Sequence, residues 1–168
     1  ATGISSPIAL PTAGAVTKVV AVVNNLTHGF DADVDMFLIG PTDQSRELST
    51  DNSGVNYVAT YFDDAAATAI TAGTAPYTGR FRPETTISTT ALVDFRAANG
   101  AGTWNLKVAD AASGGVGTLN AWALALCVDP TGPYCGDGIA QPGEECDTAG
   151  ASATCSGTCL LLDGCGDG

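Results

Sequence analysis

Three acidic residues at alternate positions, Asp31, Asp33 and Asp35, form the densest chemistry in this sequence. In an extended segment alternate side chains point the same way, so the three carboxylates are expected on one side and Ala32, Val34 and Met36 on the other. Carboxylates spaced along about 14 Å of strand repel one another unless solvated or neutralised, and such oxygen-rich sets are what calcium takes as ligands. Asp63 and Asp64 are expected to approach the same edge, and Asp110 to lie in a turn between two strands. The spacing does not follow the EF-hand loop, and solvated acids or Asp side chains closing turns give the same pattern.

Catalytic chemistry finds less to work with. A Ser-His-Asp triad needs an imidazole within hydrogen-bond reach of a serine, and His28 is the single histidine. No Gly-x-Ser-x-Gly elbow and no Gly-x-x-x-x-Gly-Lys-[Ser/Thr] loop occurs. Eleven aromatic residues spread along the chain are too few to line a saccharide cleft. No catalytic residue is assigned, His28 is expected to be bonded within or near a core, and the chain is expected not to be an enzyme.

The six cysteines, Cys127, Cys135, Cys146, Cys155, Cys159 and Cys165, all fall in the last quarter. Zinc sites favour Cys-x-x-Cys knuckles or Cys/His sets, whereas the nearest pair here is Cys155-x-x-x-Cys159 with no histidine close by. An even number of cysteines in a Gly/Pro-rich segment too short to bury a core reads as a disulfide-stapled module, with the connectivity open. Such modules belong to oxidising surroundings, so a secreted or cell-surface location is expected. Asp137, Glu144, Glu145 and Asp147 lie beside these cysteines as further calcium candidates.

The charge balance agrees. Six basic against eighteen acidic residues give a net charge of −12, which repels nucleic acid and anionic membrane surfaces and attracts divalent cations. Up to Cys127 there are eleven acids and all six bases; beyond it, seven acids and no base. No apolar run is long enough to span a membrane as a helix. Met36 is the only methionine, so a targeting signal is expected outside this chain.

The elements that must position these residues read as strands. Only 14 % of residues are charged, and Gly, Ala, Thr and Ser abound, which suits strands and tight turns over exposed helices. Residues 16–26, 34–39, 55–62, 104–108 and 119–126 are β-prone runs, and Gly40-Pro41, residues 51–54, Asn99-Gly100 and residues 113–115 punctuate them. Residues 65–69 are expected to make one helical turn at most. Trp104 and Trp122 lie among alternating apolar residues and are expected to pack in the core. Several short strands with regular turns predict an all-β jelly-roll sandwich over residues 1–127. Two prolines and a glycine mark residues 128–134 as a linker, and residues 135–168 form the cysteine-rich part. There Cys135-Gly136-Asp137-Gly138 recurs as Cys165-Gly166-Asp167-Gly168, so a second copy is expected to begin at residue 165.

Several motifs carry a family resemblance. Thr27-His28 followed by Asp33-Val34-Asp35-Met36-Phe37-Leu38-Ile39-Gly40-Pro41, then Phe62-Asp63-Asp64-Ala65, Gly79-Arg80-Phe81-Arg82-Pro83-Glu84, the run Gly102 to Asp110 and the run Gly117 to Leu126 occur in order. Together they resemble the P domain, the β-sandwich module that follows the catalytic domain in proprotein convertases and many secreted bacterial subtilisin-like proteases. The initial Pro-Asp signature is reduced to Ser6-Pro7-Ile8, and the usual Ser-Pro-Ser-Gly-Thr turn is Gly40-Pro41-Thr42-Asp43-Gln44. Residues 135–168, with Pro142 to Asp147 and Cys155-x-x-x-Cys159, resemble the disulfide repeats of secreted myxobacterial proteins. The resemblance implies a non-catalytic accessory module that stabilises or targets a larger extracellular protein, with other protein domains as partners. It also strengthens calcium as the expected cofactor, since some bacterial P domains bind it. The alternative is a structural or adhesive subunit of an extracellular appendage or filament that self-associates.

Overall fold

The structure, a computed structural model, describes residues 2–84, 91–113, 115–130, 138–139 and 146–147. Its strands are β1 (Thr2–Leu10), β2 (Ala15–His28), β3 (Val34–Ile39), β4 (Ser45–Ser49), β5 (Tyr57–Phe62), β6 (Tyr77–Phe81), β7 (Gly102–Asp110) and β8 (Gly117–Asp129). They form two four-stranded sheets, β1-β7-β3-β4 and β6-β5-β2-β8, in which only the β5–β6 pair is parallel. This is the all-β sandwich expected from the sequence.

The burial pattern follows the side-chain alternation of each strand. In β3, Val34, Met36 and Leu38 face inward while the residues between them are half-exposed. In β2 the consecutive residues Val19 to Val23 are all buried, and register shifts at Val16/Lys18, Val23/Asn25 and Asn25/Leu26 interrupt its ladder with β8. Trp104 is fully buried, meets Phe95 edge-on at 4.9 Å, and donates its indole hydrogen to Gly100 O at 3.1 Å. Gly40 is required beside this pair, because a Cβ there would lie 2.8 Å from the Phe95 ring. Trp122 is half-buried and packs against the same core.

Three strands escaped the sequence reading: β1, β4 and β6. All three lie at sheet edges, where one face of the ladder is open and apolar alternation is not demanded. Thus β1 tolerates Pro7, β4 carries Arg46 and Glu47, and β6 carries Gly79 and Arg80. The helical turn expected at residues 65–69 forms instead as a 3-10 turn at Ile70–Ala72. Val128 and Asp129, placed in the linker by composition, continue β8, pairing with Val16 and Ala15. The rest of the expected linker beyond Pro130, and nearly all of the cysteine-rich part, lies outside the described residues.

Candidate functional site

Asp31, Asp33 and Asp35 do not share one strand face as their spacing predicts, because the local backbone turns. Asp31–Asp33 form a 3-10 turn between β2 and β3, closed by Asp33 N–H donating to Phe30 O, so the three carboxylates do not line one strand edge. Asp31 is fully buried, and both of its carboxylate oxygens lack a hydrogen-bond partner. Burial raises its pKa; the Asn56 backbone amide, which does not meet hydrogen-bond geometry, and His28 offset this only in part. Asp33 is half-buried beside it, and Asp35 follows in β3, its pKa raised by burial and then by Asp51 and Glu47.

The other candidate carboxylates are engaged elsewhere. Burial alone would raise the Asp63 pKa, but the Ala65 N–H, Lys18 and Arg80 outweigh it and hold it below the usual range. Its Oδ2 accepts from Lys18 Nζ at 3.1 Å and Arg80 Nη1 at 2.7 Å. Asp64 accepts the Leu92 and Val93 amides, anchoring the 3-10 turn at Leu92–Phe95. Asp63 and Asp64 therefore serve the packing of β6 and this turn, and do not join the Asp31 edge. Among the described residues no three His, Cys, Asp or Glu side chains gather in a way that could hold a metal ion. Asp137 and Glu145, with Cys135, Cys155, Cys159 and Cys165, lie outside the described residues. Cys146 and Asp147 are half-buried, and Cys146 is disulfide-bonded. Cys127, expected in a disulfide, is a free and exposed thiol. It pairs with Lys18 across the β2–β8 ladder, on the opposite parity from the inward-packing Trp122, Leu124 and Leu126, so its thiol leaves the outer face of the sheet.

Sequence reasoning missed two groups. One is a buried polar network: Glu84 Oε2 accepts from Thr50 N–H at 3.0 Å and Asn52 Nδ2 at 2.7 Å, and Glu47 Oε1 accepts from Thr50 Oγ1 at 2.6 Å. Its only sequence signal is Glu84 closing the Arg80 to Glu84 motif. The other is a cleft at the end of the sandwich where β2 and β7 finish at His28 and Asp110. His28 is buried; its Nδ1 lies 2.8 Å from Phe30 O and 3.2 Å from Phe30 N. Its Nε2 has no hydrogen-bond partner and faces Asp110 Oδ2 at 3.6 Å, while Asp110 Oδ1 accepts the Ala112 amide at 3.3 Å. Gly115 and Gly117 close over the imidazole: a Cβ on Gly117 would lie 2.6 Å from His28 Cδ2. The cleft measures about 270 Å³, and Ile4, Leu26, Val34, Val108 and Leu119 wall it. His28 thus holds the structural position expected of it, with Nε2 itself buried beneath Gly115.

Comparison with known proteins bears on the whole sandwich. No curated protein matches the chain. Among solved structures, a chain of the complex between Aeromonas sobria serine protease and its chaperone is similar, with 19 % identity and a TM-score of 0.39 over 74 % of this chain. The match covers 20 % of that chain, so this sequence spans about a fifth of its length. A family model described as the proprotein convertase P-domain matches residues 17–126, from β2 through most of β8. That span is well over half of the chain and includes His28, Asp110 and the buried core residues from Val19 to Leu106; the chain belongs to the proprotein convertase P-domain family.

Proposed function

We propose that this chain is a non-catalytic accessory module of a larger secreted protein, a subtilisin-like protease, which it stabilises or positions. The single observation that carries this reading is the family match across residues 17–126. The surroundings of His28 support it: the imidazole is buried, engages the Phe30 backbone and faces Asp110, with no serine hydroxyl among its partners in the described residues. The disulfide at Cys146 supports an oxidising, extracellular setting for the cysteine-rich part. The test is to read the encoding gene upstream of Ala1. A subtilisin-like domain there supports the reading; an unrelated upstream region overturns it.

Calcium belongs to the same proposal. The residues present fit it in part: Asp31, buried with both oxygens unpartnered, has the oxygen chemistry calcium takes, and Asp33 and Asp35 adjoin it. Among the described residues three carboxylates do not converge, so backbone carbonyls or waters would complete any shell. Thermal melting in calcium against melting in chelator decides the point, and an unchanged midpoint overturns it.

A further inference from the structure

We propose that the outer edge of β8 is a pairing edge, on which a second copy of this chain docks antiparallel and joins the two β6-β5-β2-β8 sheets into one. Among the described residues β8 has a single ladder partner, β2, so the backbone groups along its other side are open. The other three sheet edges carry residues that discourage such pairing. Pro7 interrupts β1, Arg46 and Glu47 charge β4, and Arg80 charges β6. β8 has no such residue: its twelve positions from Gly117 to Val128 include no proline and no charge. Its central part is also regular. Register shifts are confined to Val16/Lys18 and to Val23–Leu26 of β2, and Trp122 to Cys127 pair with Val23 to Lys18 without interruption.

One bond fixes which groups face outward. Thr17 Oγ1 donates to Cys127 O at 3.2 Å, which turns that carbonyl toward β2. By strand alternation Ala125 and Ala123 turn their N–H and C=O toward β2 as well, and Trp122, Leu124 and Leu126 present theirs to the open side. A two-fold axis at Leu124 sets Leu124 opposite the second copy's Leu124, and Trp122 opposite the second copy's Leu126. The hydrogen-bonded pairs then all fall within the uninterrupted part of the strand. The side chains agree with this register. On the outer face the exposed Ala125 meets the second copy's Ala123, small against small, and on the inner face the half-buried Trp122 covers the second copy's Leu126. Charge selects this occupant. A chain of net charge −12 repels its own copy wherever acids face acids, and along this edge two copies meet without setting any charge opposite another. A cationic partner strand would find no carboxylate on β8 before Asp129. The contact uses the same strand of both copies, so it closes on itself and stops at two.

A seam running from Trp122 to Leu126 in each copy is far smaller than the roughly 20 residues per side of a standard interface, so the association is weak and is sought at high concentration. The full chain carrying Cys127→Ser, which removes the exposed thiol and keeps the seam, is followed by sedimentation velocity and amide hydrogen exchange from about 10 µM to about 1 mM. The expected result is a reversible shift toward twice the chain mass and no further. With it, exchange of the Trp122, Leu124 and Leu126 amides slows at least threefold at the upper concentration, while that of Ala123 and Ala125 is unchanged. Ala125→Lys sets a cation on the exposed outer face beside the seam and is expected to weaken the association at least tenfold with the fold retained. A monomer throughout that range, growth beyond the dimer, protection confined to amides of β1, β4 or β6, or undiminished association of folded Ala125→Lys overturns the proposal. So does slow exchange of Trp122, Leu124 and Leu126 at every concentration, which would show another segment of the chain already covering the edge. None of these readouts involves a protease domain, so the result is independent of the accessory-module reading.

Discussion

Trp122 donates its indole Nε1 hydrogen to Ser6 Oγ at 2.9 Å, joining β8 to β1 across the sandwich although 116 positions separate them in sequence. Both strands are edges, of different sheets, so this contact closes the side of the sandwich that no ladder closes. Ser6→Ala leaves the half-buried indole N–H without its acceptor and is expected to cost about 1 kcal/mol. Denaturant unfolding measures it, and an unchanged midpoint with unchanged slope removes the contact from the list of stabilising ones.

Acid stability depends on Asp63. Burial raises its pKa, but the Ala65 amide, Lys18 and Arg80 bring the net value below that of the unfolded chain. A group depressed in the folded state contributes stability that is fully present above the unfolded value of about 3.9 and is lost as pH falls through the lower folded value. Asp63→Asn is therefore expected to lower stability at pH 7 and to flatten the loss as pH falls below about 4. A melting series over that range in which the two proteins run parallel contradicts this.

Asp31 has the opposite sign. Its folded pKa is raised by burial, so its contribution favours folding below the unfolded value and is lost as pH rises through the folded one. At neutral pH without a cation, a buried charge with no partner destabilises the protein. Asp31→Asn is expected to melt higher than the parent in chelator and to lose the response to calcium. If the substitution lowers the midpoint in chelator, the carboxylate is not a liability in the cation-free protein.

Cys127 is the accessible thiol of the sandwich. It leaves the outer face of an edge strand and is exposed, so a maleimide is expected to modify it under native conditions. Peptide mass mapping locates the adduct. Modification of Cys127 only after denaturation would place this thiol in a covered position.

How much of this was legible in the sequence depended on where apolar residues were obligatory. β2, β3 and β7 lie inside their sheets, and their Val, Leu and Trp patterns announced them. Edge strands such as Ser45–Ser49 obey no such demand and stayed hidden behind their charges. The Asp31–Asp35 spacing misled because a period of two means one face only if the backbone is extended, and Asp31–Asp33 turn. Trp104 in the core was readable from its flanking residues, and a structural role for His28 followed from its isolation as a histidine. The cleft was not readable, since His28 and Asp110 are far apart in sequence and meet through the alignment of strand ends that two separate sheets impose.

The direction of the outer strands has a mechanical consequence. β1 begins at Thr2 beside Asp110, at the cleft end, whereas β8 finishes at Asp129 beside Ala15, the full length of the β2–β8 ladder away, roughly 40 Å. Tension applied between residues 2 and 130 pulls each strand along its own axis against its antiparallel neighbour. The β1–β7 and β2–β8 hydrogen bonds are then strained together in shear, not opened one at a time from an end. Such a module is expected to resist extension in single-molecule pulling much better than when it is pulled through the two adjacent strand ends at Ala15 and Asp129, where the β2–β8 bonds unzip in sequence; equal forces in the two geometries would show that the ladders do not carry the tension.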